Sequence, residues 1–320
     1  MKKYYAEVDL LRGVAILAVL LGHSFIVYPI NLMDIEWCRL VNMVIYKFHM
    51  PLFFLLAGFC FHPPVNIAAY KKQLGGKIRR LILPYLAFSF LDLLPRLLVP
   101  SLVNNSAPLS ESLTNIFLYG GSYWFLYTLF VIFLIFTPIA RFFKKPVPCA
   151  LLILIIILYK VYGFPSKMFC FNGFLQNMPY FLFGWLLQQY YTEKVQTFLA
   201  KWPVTLASGM VLLSSIVLPG SYLIDMLYAL AGSLFFFGLV VRLKDGTFRN
   251  ALTLCGGYTL QFYLLSPFFL VFARVIFVSV LGITQPFILV CAIFLTQLAG
   301  SIVCTYILRK IKFLRFLAGM

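Results

Sequence analysis

The chain has 320 residues, of which 62% are hydrophobic, 18% aromatic and only 11% charged, and its mean hydropathy is +0.96. This composition excludes a soluble domain with a single anchor and places the chain among integral membrane proteins, with length for about ten helical spans. A formal net charge of +17 would suggest nucleic acid in a soluble protein, but here the basic residues cluster between apolar spans. That pattern orients a membrane protein and implies no nucleic-acid partner.

The apolar stretches are long and do not alternate with period two, so an all-α polytopic fold is expected and a β-barrel is not. Spans are predicted at 9–29, 42–62, 81–100, 122–141, 146–163, 173–191, 203–218, 223–241, 251–272 and 284–308. The seven cysteines lie mostly inside apolar stretches without C-x-x-C spacing, so neither a metal site nor a disulfide framework is expected. Cys38 and Cys170 fall in segments predicted outside, where a bridge between them would be allowed.

The first span, within EVDLLRGVAILAVLLGHSFIVY from Glu7 to Tyr28, carries an acid, an arginine and a histidine that lipid disfavours. Asp9 and Arg12 are three apart and can pair on one helix face. Arg12 and His23 are eleven apart, which returns the imidazole to within about 20° of the guanidinium's face, about 16 Å further along the axis. Asp9 and Arg12 alone could be interfacial anchors and His23 alone a helix-to-helix hydrogen bond. Together on one stripe they point to a functional site. Lys2 and Lys3 precede this run as in a signal peptide, but Arg12 inside it and the lack of an A-x-A-like site mark the segment as retained.

The second span contains YKFHMPLFFLLAGFCF, and it places His49 at a depth similar to that of His23. A hydrogen bond beside a Pro51 kink is the plainer alternative for His49, and Gly58 is expected to permit close helix packing. The loop KKQLGGKIRR that follows is strongly basic, which suits lipid headgroups and topology. Of the 26 basic residues nineteen fall on the side of the N-terminus and six outside or within the membrane, Arg12 standing apart. Both termini are therefore expected in the cytoplasm, in a multi-pass protein of the cell (inner or plasma) membrane.

In the third span Asp92 and Arg96 are four apart and expected to pair. The fourth opens with GSYWFLYTLF, the sixth is GFLQNMPYFLFGWLL with Asn177 and Pro179 near its outer end, Asp225 begins the eighth at the interface, and the ninth contains YTLQFYLLSPFF. No repeat or linker divides the chain, so one transmembrane domain over 1–320 is expected. Walker A, G-x-S-x-G and H-E-x-x-H patterns are lacking.

Arg12 and His23, with ten residues between them and FHMPLFFLLAGF following in the second span, resemble the signature of the membrane acyltransferase-3 family, whose members O-acylate sugars. The resemblance covers nearly the whole chain and is most specific over 9–23 and 48–59. It implies an acyl-CoA donor, foremost acetyl-CoA, with no permanently bound cofactor, and a carbohydrate or glycolipid acceptor at the cell surface or on a lipid. Arg79 and Arg80 match a family position implicated in donor binding, and guanidinium forks suit coenzyme A phosphates, with Arg12 assisting. Trp124 in the family's W-F-L element and Asn177 beside its P-Y-F-x-x-G pattern are the acceptor-site candidates. A histidine often stands in the family where Ser266 stands here, and a serine there offers only a hydrogen bond. The chain ends in a basic tail, so the esterase-like outer domain that some members append is not expected.

In this reading His23 is the general base on the sugar hydroxyl, Asp9 orients Arg12, His49 converges on His23, and the acyl group passes directly without an acyl-histidine. The alternative is a transporter or flippase for a glycolipid or anionic solute, with Arg12, His23 and His49 as substrate or proton-relay groups. It would call for discontinuous helices or repeated halves. The acceptor sugar, the hydroxyl modified, the acyl length and the oligomeric state stay open.

Overall fold

The structure, a computed structural model, describes residues 5–26, 30–98, 108–162, 168–218 and 220–319. Lys2, Lys3 and Lys167 lie outside the described residues, as does the side chain of Arg96 with its expected pairing to Asp92. Asp92 accepts a hydrogen bond from Ser122 Oγ at 2.9 Å.

Every regular element among the described residues is helical. In chain order they are α1 (Ala6–Ser24), α2 (Glu36–Phe59), α3 (Ile67–Lys77), a π-helical turn (Ile78–Ile82), α4 (Leu83–Leu98), α5 (Leu109–Thr114), α6 (Trp124–Ile139), α7 (Pro146–Tyr162) and α8 (Phe171–Tyr190). There follow α9 (Glu193–Leu199), α10 (Trp202–Ser214), α11 (Tyr222–Val241), α12 (Thr247–Gly257), α13 (Thr259–Arg274), α14 (Pro286–Lys310) and α15 (Lys312–Leu317). Five stretches among the described residues are long and apolar enough to cross a membrane: Glu36–Phe59, Leu109–Phe143, Tyr222–Val241, Thr259–Val280 and Pro286–Lys310. The pair α9 and α10, bent by 55°, makes a sixth if it is one span. α1 has the length, at 19 residues, and is set apart by Glu7, Asp9 and Arg12. The protein is thus a helical membrane protein.

Two breaks in the helical run, one of them inside a predicted span, have local causes. The stretch predicted at 251–272 divides at Tyr258 into α12 and α13, just after Gly256 and Gly257, which are poor helix formers. Thr259 Oγ1 donates to the carbonyls of Gly256 (2.7 Å) and Cys255 (3.3 Å), so the break leaves these acceptors satisfied. Between α9 and α10 the freed Ala200 carbonyl accepts from Arg242, which also bonds Thr205 Oγ1 and the Gly238 carbonyl. The same guanidinium stacks over Trp202 at 4.0 Å.

The helices form two compact units: Met1–Cys60 with Phe183–Ile302, and Phe61–Leu182 with Val303–Met320. In the first, α1 packs against α2, α11, α12 and α13. Its closest crossing, with α12, depends on two glycines. A Cβ on Gly13 would strike the Leu252 carbonyl, and one on Gly256 would strike the Asp9 carbonyl. Lipid tails are as apolar as the helices, so close backbone approach through small residues replaces the hydrophobic drive of a soluble core. Gly184 serves α8 in the same way, lying against the Leu55 carbonyl of α2. On the other face of α1, Phe25 joins Ile45, Ala273, Leu289, Val290 and Ile293 in a buried cluster.

The second unit is centred on aromatic rings. Phe61 meets Phe133, Phe136 and Phe181 at 5.9, 5.6 and 5.7 Å, while Tyr85 stacks on Tyr127 at 5.4 Å and donates to the Ile116 carbonyl. Gly120, at φ 87°, turns the chain between the π-helical turn at Asn115–Tyr119 and the entry to α6. Cys170 Sγ crowds that glycine and donates to the Tyr119 carbonyl at 3.2 Å. All seven cysteines are free thiols, so the bridge allowed between Cys38 and Cys170 does not form. The thiol of Cys170 is used in the corner at Tyr119 instead.

Candidate active site

The N-terminal end of the α1 stripe is built as its spacing predicts. Arg12 Nη1 donates to Asp9 Oδ1 at 3.2 Å, and Nη2 points to Cys60 Sγ at 3.5 Å. Glu7 and Asp9 stand in the first turn of the helix, where a carboxylate meets unpaired N–H groups and the positive end of the dipole. Glu7 is tied down as well: Tyr191 Oη donates to it at 2.9 Å and Gln196 Nε2 at 3.3 Å. Tyr5, Phe59 and Tyr191 pack edge-on, with centroids 5.1–5.5 Å apart. A cavity of about 100 Å³ opens beside Glu7, walled by Leu11, Phe59, Tyr191 and Phe237.

α1 runs without interruption from Ala6 to Ser24, so His23 lies about 16 Å along the axis from Arg12. His23 is neither fully buried nor exposed: it is crowded by protein and keeps some accessible surface. Its ring has no hydrogen bond from the described residues, which leaves both nitrogens available to a ligand.

The turn that carries His23 is held from two sides. Asn42 Nδ2 of α2 donates to the Gly22 carbonyl at 2.9 Å. Gln297 Nε2 of α14 donates to the Leu20 carbonyl at 3.2 Å and to Ser24 Oγ at 2.9 Å, and Ser24 in turn donates to Leu20 at 2.8 Å. Gln297 is 0% exposed and its Oε1 finds no partner among the described residues. An orphaned buried acceptor costs about 1–3 kcal/mol.

His49 approaches the same region from α2. Its Nδ1–H donates to the Ile45 carbonyl at 2.7 Å, a bond that requires the proton on Nδ1 and leaves Nε2 as the acceptor of the neutral ring. This is the in-helix bond near Pro51 that the sequence offered as the plainer reading, and it fixes the tautomer. Tyr46 stands between the two helices here, its ring 4.9 Å edge-on from the His49 imidazole and against Gly22, the residue before His23, where a Cβ would come to 3.0 Å of it. Two residues before His49, Lys47 pairs with Asp225 and lies 5.6 Å from the Tyr228 ring, which ties α2 to α11.

Arg79, Arg80, Trp124 and Asn177 belong to the second unit. Arg79 and Arg80 are exposed and sit in the five-residue π turn between α3 and α4, a helical form that recurs at functional sites. Arg79 stacks over Phe316 at 4.8 Å and Lys77 over Phe133 at 3.5 Å. Trp124 is half-buried at the start of α6. Asn177 is 4% exposed, and its amide donates to the Gly173 carbonyl of its own helix at 2.8 Å, which commits that N–H to the helix. Ser266 is buried, and its hydroxyl has no partner among the described residues. No group of three or more His, Cys, Asp or Glu side chains among the described residues could hold a metal ion.

Sequence reasoning brought out Asp9, Arg12, His23 and His49 but passed over Glu7's anchoring, Asn42 and Gln297, and it read Asp225 only as an interfacial acid. The available signal was an uncharged amide inside an apolar run, as in VNMVIY and IFLTQLAG. A buried amide in a membrane helix needs a partner on another helix, but nothing in the sequence says which.

The fold and the polar stripe define a helical membrane protein with a partly buried histidine and a paired arginine on one helix. Its family follows from comparison: residues 5–306 match the model of the acyltransferase-3 family, described as an acyltransferase domain, and the chain belongs to that family. Among curated proteins it is similar to nodulation protein NolL of Sinorhizobium fredii (strain NBRC 101917 / NGR234), with 25% identity over 197 residues, 60% of this chain and 50% of that protein. The NolL of Mesorhizobium japonicum (strain LMG 29417 / CECT 9101 / MAFF 303099) is 26% identical over 140 residues, 42% of this chain and 35% of its own length. The chain therefore aligns with half or less of these relatives. No solved structure matches.

Proposed function

We propose that the protein is an O-acyltransferase that moves an acyl group, foremost acetyl, from cytoplasmic acyl-CoA to a hydroxyl of a cell-surface or lipid-linked sugar. Family membership supports acyl transfer, and the observation that carries the chemistry is His23, partly buried and with no hydrogen bond to its ring from the described residues.

In this mechanism an imidazole nitrogen of His23 takes the proton of the sugar hydroxyl as its oxygen attacks the thioester carbonyl. The C–S bond breaks, coenzyme A leaves as thiolate, and the imidazolium returns the proton to sulfur. A neutral imidazole suits both halves because it can accept the proton and its conjugate acid can give it back. No acyl-histidine is required. His49, its Nδ1 proton committed to Ile45, offers Nε2 as a second acceptor near His23. Arg12, oriented by Asp9, supplies positive charge lower on the same helix. The phosphates of the donor fall to Arg79 and Arg80, whose exposed forks suit phosphate, and Trp124 and Asn177 are the candidates for acceptor contact. Ten spans with both termini in the cytoplasm of a cell-membrane protein complete the reading.

The transport alternative gains little from the break between α9 and α10. Its freed carbonyl is satisfied by Arg242, and the break holds neither Arg12 nor either histidine of the candidate site. Mass spectrometry of surface carbohydrate from cells with and without the protein tests the proposal. A mass difference of one acyl group is expected, and identical glycans together with solute or glycolipid movement would replace the enzyme by a transporter.

A further inference from the structure

The last turn of a helix frays unless its carbonyls are met from outside, because the final four lack intrahelical donors. His23 is in that turn of α1. Within that turn Ile26 N bonds the His23 carbonyl at 3.1 Å, whereas the backbone bond to the Gly22 carbonyl, from Phe25 N, is long at 3.4 Å. The better donor to Gly22 is Asn42 Nδ2, at 2.9 Å.

Gln297 closes the other side. Along α14, Leu289, Ile293, Gln297 and Ser301 recur every four residues and are each 0% exposed, and the first two pack in the cluster containing Phe25 and Ile45. A leucine at 297 would extend that apolar face. The glutamine instead places its amide nitrogen on the Leu20 carbonyl and Ser24 Oγ. Flipping the amide would set oxygen against the Leu20 carbonyl, so the orientation is forced and Oε1 stays unpartnered. The two amides, from different helices, thus grip positions 20, 22 and 24, on both sides of His23 in the chain.

We propose that Asn42 and Gln297 are positioning residues that hold the last turn of α1, and with it the His23 imidazole, in its working place. The effect on turnover rests on the proposed role of His23, whereas the grip on the turn does not. Generic helix adhesion would add stability wherever it formed. These bonds all end on the one turn that carries the candidate base, where a misplacement of about 1 Å costs on the order of 10²-fold in rate.

The test uses the full-length protein purified in detergent, with acetyl-CoA as donor and a carbohydrate extract of the producing cells as acceptor. It compares Gln297→Leu, Asn42→Leu and Asn42→Gln with wild type. Hydrogen–deuterium exchange over residues 18–26 is expected to accelerate in both leucine variants, with kcat falling about 10- to 100-fold and KM for acetyl-CoA staying within about twofold. Asn42→Gln, which keeps a donor, should recover most of both losses. Unchanged exchange over 18–26 in a folded variant would overturn the proposal, as would turnover within twofold of wild type. If Gln297→Leu does not fold, the Asn42 pair of variants decides by the same two readouts. Should His23→Ala itself turn over normally, the role of His23 fails, and the exchange data still decide whether the turn is gripped.

Discussion

Gly256 of α12 lies directly against the backbone carbonyl of Asp9, the residue whose carboxylate holds Arg12. The candidate site thus begins at a helix crossing that tolerates no side chain, and the polar pair is set on backbone that another helix fixes. Gly13 repeats the relationship one turn on, against the Leu252 carbonyl.

Gly256→Ala is therefore expected to destabilise the protein by about 1–3 kcal/mol, the usual cost of forcing volume into a packed site. Gly257→Ala is the control, because a Cβ there meets nothing within 4 Å, and it should be neutral or slightly stabilising. Thermal unfolding in detergent compares the two directly, and equal behaviour would show that the α1 and α12 crossing yields without cost.

His23→Ala should reduce acyl transfer by about 10²–10⁴-fold, the usual contribution of a general base, while expression and membrane insertion stay near normal. The imidazole has no hydrogen bond from the described residues, so its removal strands no described partner. His23→Gln keeps polarity without a base and should fail equally. Turnover near wild type in either variant would return His23 to a packing role.

Arg79→Ala with Arg80→Ala should raise the KM for acetyl-CoA more than that for the acceptor, since the pair is assigned to donor phosphates. Phe316→Ala removes only the ring under Arg79 and should have a smaller effect in the same direction. Equal losses for donor and acceptor would instead make the basic turn a topology element facing lipid headgroups.

Reporter fusions after Leu317 and in the loop 243–246 should both read as cytoplasmic. The basic residues there, Lys244 and Arg249 near α12 and Arg309 to Arg315 at the tail, follow the positive-inside rule. An outer C-terminus would remove the ten-span topology.

The sequence by itself determined the environment, the helical class and the polar stripe of α1. Composition decides between lipid and water, and residues three and eleven apart on one continuous helix have a relationship set by helical geometry alone. Asp9 bonding Arg12 and the approximate distance to His23 follow from that local rule. The similar depth expected of His49 rested on span boundaries alone, and the Tyr46 ring between His49 and Gly22 required α1 and α2 to pack together. What the tertiary structure decided is every partner contributed by a distant helix. Gln297 is 277 positions from Leu20, and Asp225 is 178 from Lys47. An amide in an apolar run shows that a partner is needed, but the carbonyl it reaches depends on which helices cross and in what register. That crossing is set by small residues such as Gly13 and Gly256, whose role becomes visible only when another backbone stands where their side chains would have been.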